Sequence, residues 1–159
     1  MKNNEFLRLI SGDEEVVIGA TDGMDTIAEA KSTFSGWIDR DFVGYGTNVS
    51  GRPTKSTKTQ VFEMTKNGTF AQIFGGFGEN LDRLCLTQSQ IIRFVKGHEK
   101  WLRTDGYGTF FLFKENGEFF VAFVYRFVGV LEVFACRLSY DDVWGAEYRL
   151  RVVVPKIEQ

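Results

Sequence analysis

Cysteine, histidine, proline and long apolar runs are all scarce in this chain of 159 residues, which has two cysteines, one histidine and two prolines. Neither Cys85 nor Cys136 has a second cysteine or a histidine at metal-ligand spacing, so a zinc site is not supported. We expect both thiols to be small buried hydrophobic groups. No stretch approaches the roughly 20 consecutive apolar residues of a membrane span. Because the first residues also lack the apolar run of a secretory signal, we expect a cytoplasmic protein with no membrane partner.

Charge is divided unevenly along the chain, although the net charge is only −2. Eight acidic and two basic side chains lie between Asp13 and Asp41, whereas basic side chains predominate from Arg52 to Lys66 and from Arg93 to Lys114. The two signs could form complementary faces within one molecule or between two, or simply a solvated surface of mixed charge.

Aromatic residues are abundant, with 16 phenylalanines, and many of them lie between Gly108 and Leu138. In that stretch, Asn116-Gly117 and Val128-Gly129 separate three runs of β-branched and aromatic residues. Asn-Gly between such runs is a strong hairpin signal, so we predict an antiparallel three-stranded meander. The middle run, Glu118–Phe127, is mostly apolar on both faces, whereas a sheet with one wet face alternates apolar and polar residues. Either the chain's own helices cover both faces, or one face meets a partner.

Apolar residues spaced three and four apart indicate amphipathic helices in three places. The predicted helices are Asp25–Ile38, Thr69–Phe74 and Thr87–Gly97. The last two begin with a threonine followed by a glutamine at capping-box spacing. The glycine cluster Gly75–Gly78 lacks the Lys-Ser or Lys-Thr of a phosphate-binding loop, and no cofactor is predicted.

Short strands are predicted around these helices. They are Phe6–Ile10 paired with Glu14–Ala20, then Thr59–Met64, and finally Tyr148–Val154, where Pro155 suggests a sheet edge. Residues 42–58 are predicted to be a loop or linker within a single domain that spans residues 1–159. The predicted fold class is α+β, with an antiparallel β-meander sheet of about four to six strands packed with about three amphipathic helices.

A group of small uncharacterised bacterial proteins from uncultured lineages with reduced genomes resembles this chain. The similarity covers most of the chain and is carried by four segments: Leu84–Ile91, Trp101–Lys114, Asp141–Trp144 and Arg151–Pro155. The resemblance implies a bacterial, cytosolic origin. It implies no activity, because none is assigned to the group.

Two sets of polar residues flank the meander and are candidates for catalysis. His98 and Asp105 precede its first strand, and a histidine beside a carboxylate can act as a general base. Asp141 and Asp142, with Glu147, follow its last strand, and paired carboxylates can bind a divalent metal in a hydrolase or nuclease. The structural alternatives are a histidine that caps its helix and aspartates that cap a short helix. The hairpin lacks the acidic-x-Lys pair of common nucleases, and no metal site is predicted.

The same flanks supply the candidate binding residues. These are Trp101, Arg103, Tyr107, Trp144 and Glu147. The leading hypothesis is a non-enzymatic binding or protein-interaction module that self-associates or binds another protein. A small metal-dependent hydrolase or nuclease is the alternative. Single-stranded nucleic-acid binding is a further alternative, because aromatic residues accompany a set of basic ones, although the net negative charge argues against it. The basic residues are Arg93, Lys96 and Lys100 on a predicted helix and Arg126, Arg137, Arg149 and Arg151 on predicted strands.

Overall fold

A computed structural model describes residues 4–104 and 107–157, and the strands in this part of the chain form one open, mixed sheet. The strands are β1 (Leu7–Leu9), β2 (Val16–Ile18), β3 (Trp37–Ile38), β4 (Thr57–Met64), β5 (Gly108–Glu115), β6 (Glu118–Phe127), β7 (Val130–Arg137) and β8 (Arg151–Pro155). Their order is β1-β4-β8-β5-β6-β7-β3, and β2 also pairs with β4. The α+β class is confirmed, but the sheet has eight strands rather than four to six and includes two parallel pairs.

The helices are short and lie against the sheet. They are α1 (Asp41–Gly44), α2 (Phe70–Gly75) and α3 (Gln88–Gly97), with 3-10 turns at Ile27–Glu29, Leu81–Leu84, Glu99–Trp101 and Ala146–Tyr148. Both α2 and α3 confirm predicted helices, and each begins with the predicted reciprocal capping box. Such a box satisfies two backbone groups that a helix start leaves without partners. None of the helices in the described ranges is long and apolar enough to cross a membrane.

The predicted meander is confirmed as β5, β6 and β7, which pair antiparallel in chain order. Each of its two turns has two central residues with positive φ. The φ angles are 53° and 78° at Asn116-Gly117, and 50° and 80° at Val128-Gly129. This is the type I′ geometry, whose twist matches that of the strands it joins.

The prediction that the last strand lies at a sheet edge is wrong. Strand β8 lies between β4, to which it is antiparallel, and β5, to which it is parallel. Pro155 is tolerated because it ends β8 opposite Thr59, beyond the residues that pair on both sides. The strand also begins later than predicted, at Arg151, because the backbone of Arg149 is left-handed with φ 52°.

The two N-terminal strands do not pair with each other as predicted. Both β1 and β2 pair antiparallel with β4, at opposite ends of that eight-residue strand. Between them, the Ser11 hydroxyl accepts a hydrogen bond from the Val61 amide at 3.1 Å. The long strand β4 therefore serves as the common neighbour of two short strands.

The predicted helix Asp25–Ile38 is wrong. Only Ile27–Glu29 forms a 3-10 turn, and Trp37–Ile38 is the edge strand β3, parallel to β7. Ile27 and Phe34 are buried, as the apolar pattern required, but an irregular path rich in serine, threonine and glycine buries them without a helix. The Gly36 amide donates to a β7 carbonyl oxygen at 2.9 Å, so the segment's end is held by the sheet instead.

A hydrophobic layer covers each face of the sheet. On the first face, α1, α3 and the turn at Ile27–Glu29 pack on the sheet. On the second face, α2, the turn at Leu81–Leu84 and Phe6 do so. The second layer is incomplete over β6 and β7, where Tyr125 and Phe134 are only half buried. The chain's own elements therefore leave an aromatic part of the second face open to solvent.

Candidate functional site

An aromatic groove of about 350 Å³ lies on the second face, where β5 and β8 begin and β6 ends. The side chains that line the aromatic groove are those of Tyr107, Phe123, Tyr125, Val143, Trp144, Tyr148 and Leu150. Three parts of the chain meet here: the residue before β5, the end of β6, and the connection from β7 to β8. They meet because β8 lies beside β5 at the centre of the sheet.

Trp144 forms the floor of the aromatic groove. Its amide donates to the Gly68 carbonyl oxygen at 2.8 Å, and the Gly68 amide donates to the Trp144 carbonyl oxygen at 3.3 Å. The nearby Ala146 amide donates to the Asn67 side chain at 2.8 Å. The indole packs on three core rings, with centroid distances of 5.1 to 5.2 Å: Phe70, Phe110 and Phe123. The floor is therefore preformed, as is usual for ligand sites.

The outer wall of the groove is a stack of two tyrosines and an arginine. The rings of Tyr107 and Tyr148 lie 5.5 Å apart, with their planes at 26°. The Arg103 guanidinium carbon lies 5.0 Å from the centre of the Tyr107 ring. Its Nε donates to the Tyr148 carbonyl oxygen at 3.3 Å, and its amide donates to the Thr109 hydroxyl at 2.9 Å. These contacts fix the positions of the Arg103 and tyrosine side chains and connect them to β5.

Two arginine side chains, those of Arg103 and Arg149, belong to residues beside this wall. Within residues 4–104 and 107–157, neither Arg103 nor Arg149 has a carboxylate within ion-pair distance. Neighbouring cations, in contrast, are paired: Lys100 with Glu14 at 3.0 Å and Arg126 with Glu99 at 3.8 Å. Glu147 lies beside Gly145 at the rim and is the opposing charge. Among the described residues, two arginines without ion pairs and one carboxylate therefore lie around the groove.

A third guanidinium, that of Arg151, interacts electrostatically with that of Arg103. Its Nη1 donates to the Trp101 carbonyl oxygen at 3.0 Å. Burial lowers the pKa of Arg151, Glu63 opposes that effect, and the positive charge of Arg103 adds to it. Because a guanidinium remains charged at neutral pH, this interaction means that two positive charges share one end of the sheet.

A second exposed feature, the apolar ridge, lies at the turn between β6 and β7. The apolar ridge consists of Trp37, Phe127, Val128 and Val130. Val128 is 86% exposed, and the other three side chains are between 39% and 55% exposed. Phe127 pairs with Val130 across the turn, and paired residues point to the same face of a sheet.

The apolar ridge is continuous with the aromatic groove. Trp37 pairs with Glu132, which in turn pairs with Tyr125, so all three lie on the second face. The Trp37 ring lies 5.0 Å from that of Phe134, and the Phe134 ring lies 6.3 Å from that of Tyr125. Glu132 has no ion pair in the described part of the chain.

Val128 has an unfavourable backbone conformation. It has φ 50° at the same turn position at which Asn116 has φ 53° in the preceding hairpin. A left-handed backbone costs an ordinary L-residue about 1–2 kcal/mol, asparagine tolerates it best, and a β-branched residue is rare there. Because the Val128 side chain is almost wholly exposed, burial does not offset the strain.

Four of the five predicted binding residues lie at the aromatic groove. Tyr107 and Trp144 line it, Arg103 stacks on its wall, and Glu147 lies at its rim. The fifth, Trp101, packs against the core of the first face.

Three of the four predicted catalytic residues lie in the described ranges, and these three do not converge. His98 ends α3 on the first face, where its Nε2 lies 2.7 Å from a β2 carbonyl oxygen. Asp141 and Asp142 are exposed in the connection between β7 and β8, and Asp142 accepts a hydrogen bond from the Tyr140 hydroxyl. Asp105 lies outside the described residues. Within the described ranges, no group of three or more His, Cys, Asp or Glu side chains is arranged to hold a metal ion.

The two cysteine thiols are half buried and free. Burial raises the pKa of Cys85 to about 12 and that of Cys136 to about 11. A nucleophilic cysteine requires a thiolate, so neither side chain is activated at neutral pH.

A larger cleft of about 490 Å³ lies beside the start of α3, and several of its polar side chains have structural partners. Gln88 donates to the Thr47 carbonyl oxygen at 2.6 Å and to the Glu115 carboxylate at 3.2 Å. Lys114 pairs with Asp82 at 2.9 Å. These contacts join α3 and the turn at Leu81–Leu84 to the first hairpin of the meander, so they have a structural explanation.

Several residues of these surfaces were not predicted: Phe123, Tyr125, Tyr148 and the four residues of the apolar ridge. Two signals in the sequence point to them. Glu118–Phe127 is apolar on both faces, and Val128 precedes a turn glycine where Asn116 does so in the other hairpin.

Comparisons with protein-family models, curated proteins and solved structures found no match to this chain. The resemblance to small bacterial proteins stays a prediction, and function is inferred from the geometry alone.

Proposed function

We propose that the protein is a non-enzymatic interaction module that binds a second copy of itself through the apolar ridge. The observation that carries the proposal is Val128, an exposed β-branched residue in a left-handed turn position. Backbone strain of this kind is concentrated at functional sites, where it is part of the mechanism.

The contrast between the two hairpins makes this argument specific. The turn Asn116-Gly117 has the residue pair that type I′ geometry favours, whereas Val128-Gly129 has the same geometry with an apolar residue. A valine at this position weakens the fold and adds exposed apolar surface. Contact with a partner would bury that surface and offset the strain.

The shape of the ridge suits a second copy as the partner. Two copies related by a two-fold axis present the same patch to each other. The exposed apolar side chains of each copy would then cover those of the other. Glu132 lies on the same face as the ridge and has no ion pair in the described ranges.

The apolar area predicts weak association. Complete burial of a valine or phenylalanine side chain contributes about 1.5–3 kcal/mol, so the exposed parts of the ridge on two copies contribute on the order of 9 kcal/mol. Loss of translational and rotational freedom opposes association by an estimated 4–15 kcal/mol. At most about 5 kcal/mol then favours association, so the dissociation constant of the expected dimer is no lower than roughly 0.2 mM.

Sedimentation velocity over a wide concentration range tests this proposal. The wild-type chain should sediment faster as its concentration rises, and Val128→Asn and Phe127→Ser should remain monomeric. Val49→Asn is the matched control, because Val49 is 49% exposed and lies outside the ridge. A wild-type monomer at every concentration, or undiminished association of both ridge variants, would overturn the proposal.

A further inference from the structure

We propose that the aromatic groove binds single-stranded nucleic acid, with bases stacked on its rings and phosphates held by Arg103 and Arg149. The groove adjoins the apolar ridge, but this inference does not depend on self-association.

The rings of the groove are placed for stacking. Tyr107 and Tyr148 already stack on each other, and Tyr148 is exposed. Trp144 is fixed from below by its backbone bonds to Gly68. Base–aromatic stacking is tolerant of sequence, because every base has a flat π face. A volume of about 350 Å³ lies near the lower end of the range for small-ligand sites, which suits one or two bases.

The charges of the groove select an anion. Arg103 and Arg149 lack ion-pair partners in the described ranges, while Lys100 and Arg126 have them. The Arg103 Nε donates to the Tyr148 carbonyl oxygen, which holds the guanidinium beside the outer wall of the groove.

Arg149 adds an independent indication. Its φ of 52° places it in the left-handed region at the end of the turn Ala146–Tyr148, where glycine would be unstrained. The strained arginine is exposed and has no side-chain hydrogen bond or ion pair with the residues that the structure describes. Single-stranded nucleic acid is favoured over a duplex because stacking on protein rings requires unpaired bases.

Fluorescence anisotropy with labelled oligothymidylate and oligouridylate, using the full chain, tests the proposal. We expect binding at low salt that weakens as salt rises. Two phosphate contacts correspond to a slope of about −1.4 in log K against log salt, since each contributes about −0.7 for a single strand. A labelled duplex of the same length should bind more weakly.

Two variants separate the parts of the site. Tyr148→Ala should weaken binding about tenfold or more through lost stacking. Arg149→Gly should relieve the strained backbone, keep the fold, and reduce the salt slope by about 0.7. Arg52→Gly is the control, because Arg52 is exposed and lies outside the groove.

The outcomes are distinguishable from those for the ridge. Val128→Asn should bind oligothymidylate as the wild type does. Absence of binding at low salt, equal binding of duplex and single strands, or unchanged binding by both groove variants would overturn the inference, whether or not the chain self-associates.

Discussion

Replacing Val128 with asparagine should make the isolated chain more stable. The turn keeps its type I′ geometry, and asparagine tolerates the left-handed φ of 50° far better than valine does. Because Val128 is 86% exposed, the substitution removes almost no buried surface. We therefore expect a gain of about 1 kcal/mol in the free energy of unfolding, the lower end of the strain of a left-handed residue.

Urea denaturation at low protein concentration is the appropriate assay. Dilution matters, because a dimer would stabilise the wild type by mass action and mask the effect. With m near 2 kcal/mol/M, a gain of about 1 kcal/mol raises the midpoint by roughly 0.5 M at unchanged m. The thermal midpoint should rise by about 2–4 °C.

The reverse change in the sister hairpin is the control for this reasoning. Asn116→Val should destabilise the chain by at least about 1 kcal/mol. The loss should exceed the gain at Val128, because Asn116 also donates a hydrogen bond to the Gly46 carbonyl oxygen at 3.3 Å. If Val128→Asn leaves the midpoint unchanged or lowers it while Asn116→Val behaves as expected, the strain argument is refuted.

Two further substitutions test the core and the electrostatics. In Gly108→Ala, the new methyl group would lie 1.6 Å from a carbon of the Phe123 ring, which Trp144 and Phe110 hold in place. This overpacking should lower the free energy of unfolding, measured by urea denaturation, by about 2 kcal/mol or more. A loss below about 0.5 kcal/mol would show that the ring moves freely. Burial raises the pKa of Glu115, so its folded pKa lies above the unfolded value. It therefore contributes stability that is fully present below the unfolded pKa and is lost as pH rises through the folded pKa. The free energy of unfolding of Glu115→Gln, relative to that of the wild type, should therefore increase as pH rises from the unfolded to the folded pKa of Glu115. Denaturation curves measured from acid to neutral pH test this, and a difference between the two proteins that stays constant with pH would contradict it.

Elements with local signals could be predicted from the sequence. Asn116-Gly117 specifies its turn through two adjacent residues, and the capping boxes of α2 and α3 each span four residues. The structure of the segment Asp25–Ile38 could not be predicted in this way. Its apolar spacing is compatible with a helix and also with an irregular path that buries Ile27 and Phe34. The competing interaction, pairing of Trp37 with β7 almost 100 residues later, is invisible to any local pattern.

Only part of the aromatic groove could be predicted, because local sequence signals mark some of its residues and pairing between distant strands brings in the others. Tyr107 and Trp144 flank the meander, which makes them candidates from the sequence alone, and both line the groove. Phe123 and Tyr125 look like ordinary strand residues, and the sequence pattern places Tyr148 in a strand as well. What joins them is the position of β8 beside β5, a parallel pairing between strands about 40 residues apart.

That central position of β8 has a consequence for how the molecule assembles. β8 follows the other seven strands in chain order, yet it alone links the β1-β2-β4 group to the β5-β6-β7-β3 group by sheet hydrogen bonds. As the chain leaves the ribosome, each group can form its own pairs, but the interior flanks of β4 and β5 remain unpaired until residues 151–155 emerge. Such exposed strand edges are aggregation-prone, and late, non-local pairing is slow. Synthesis of this chain should therefore be most vulnerable to misassociation just before its final strand is inserted.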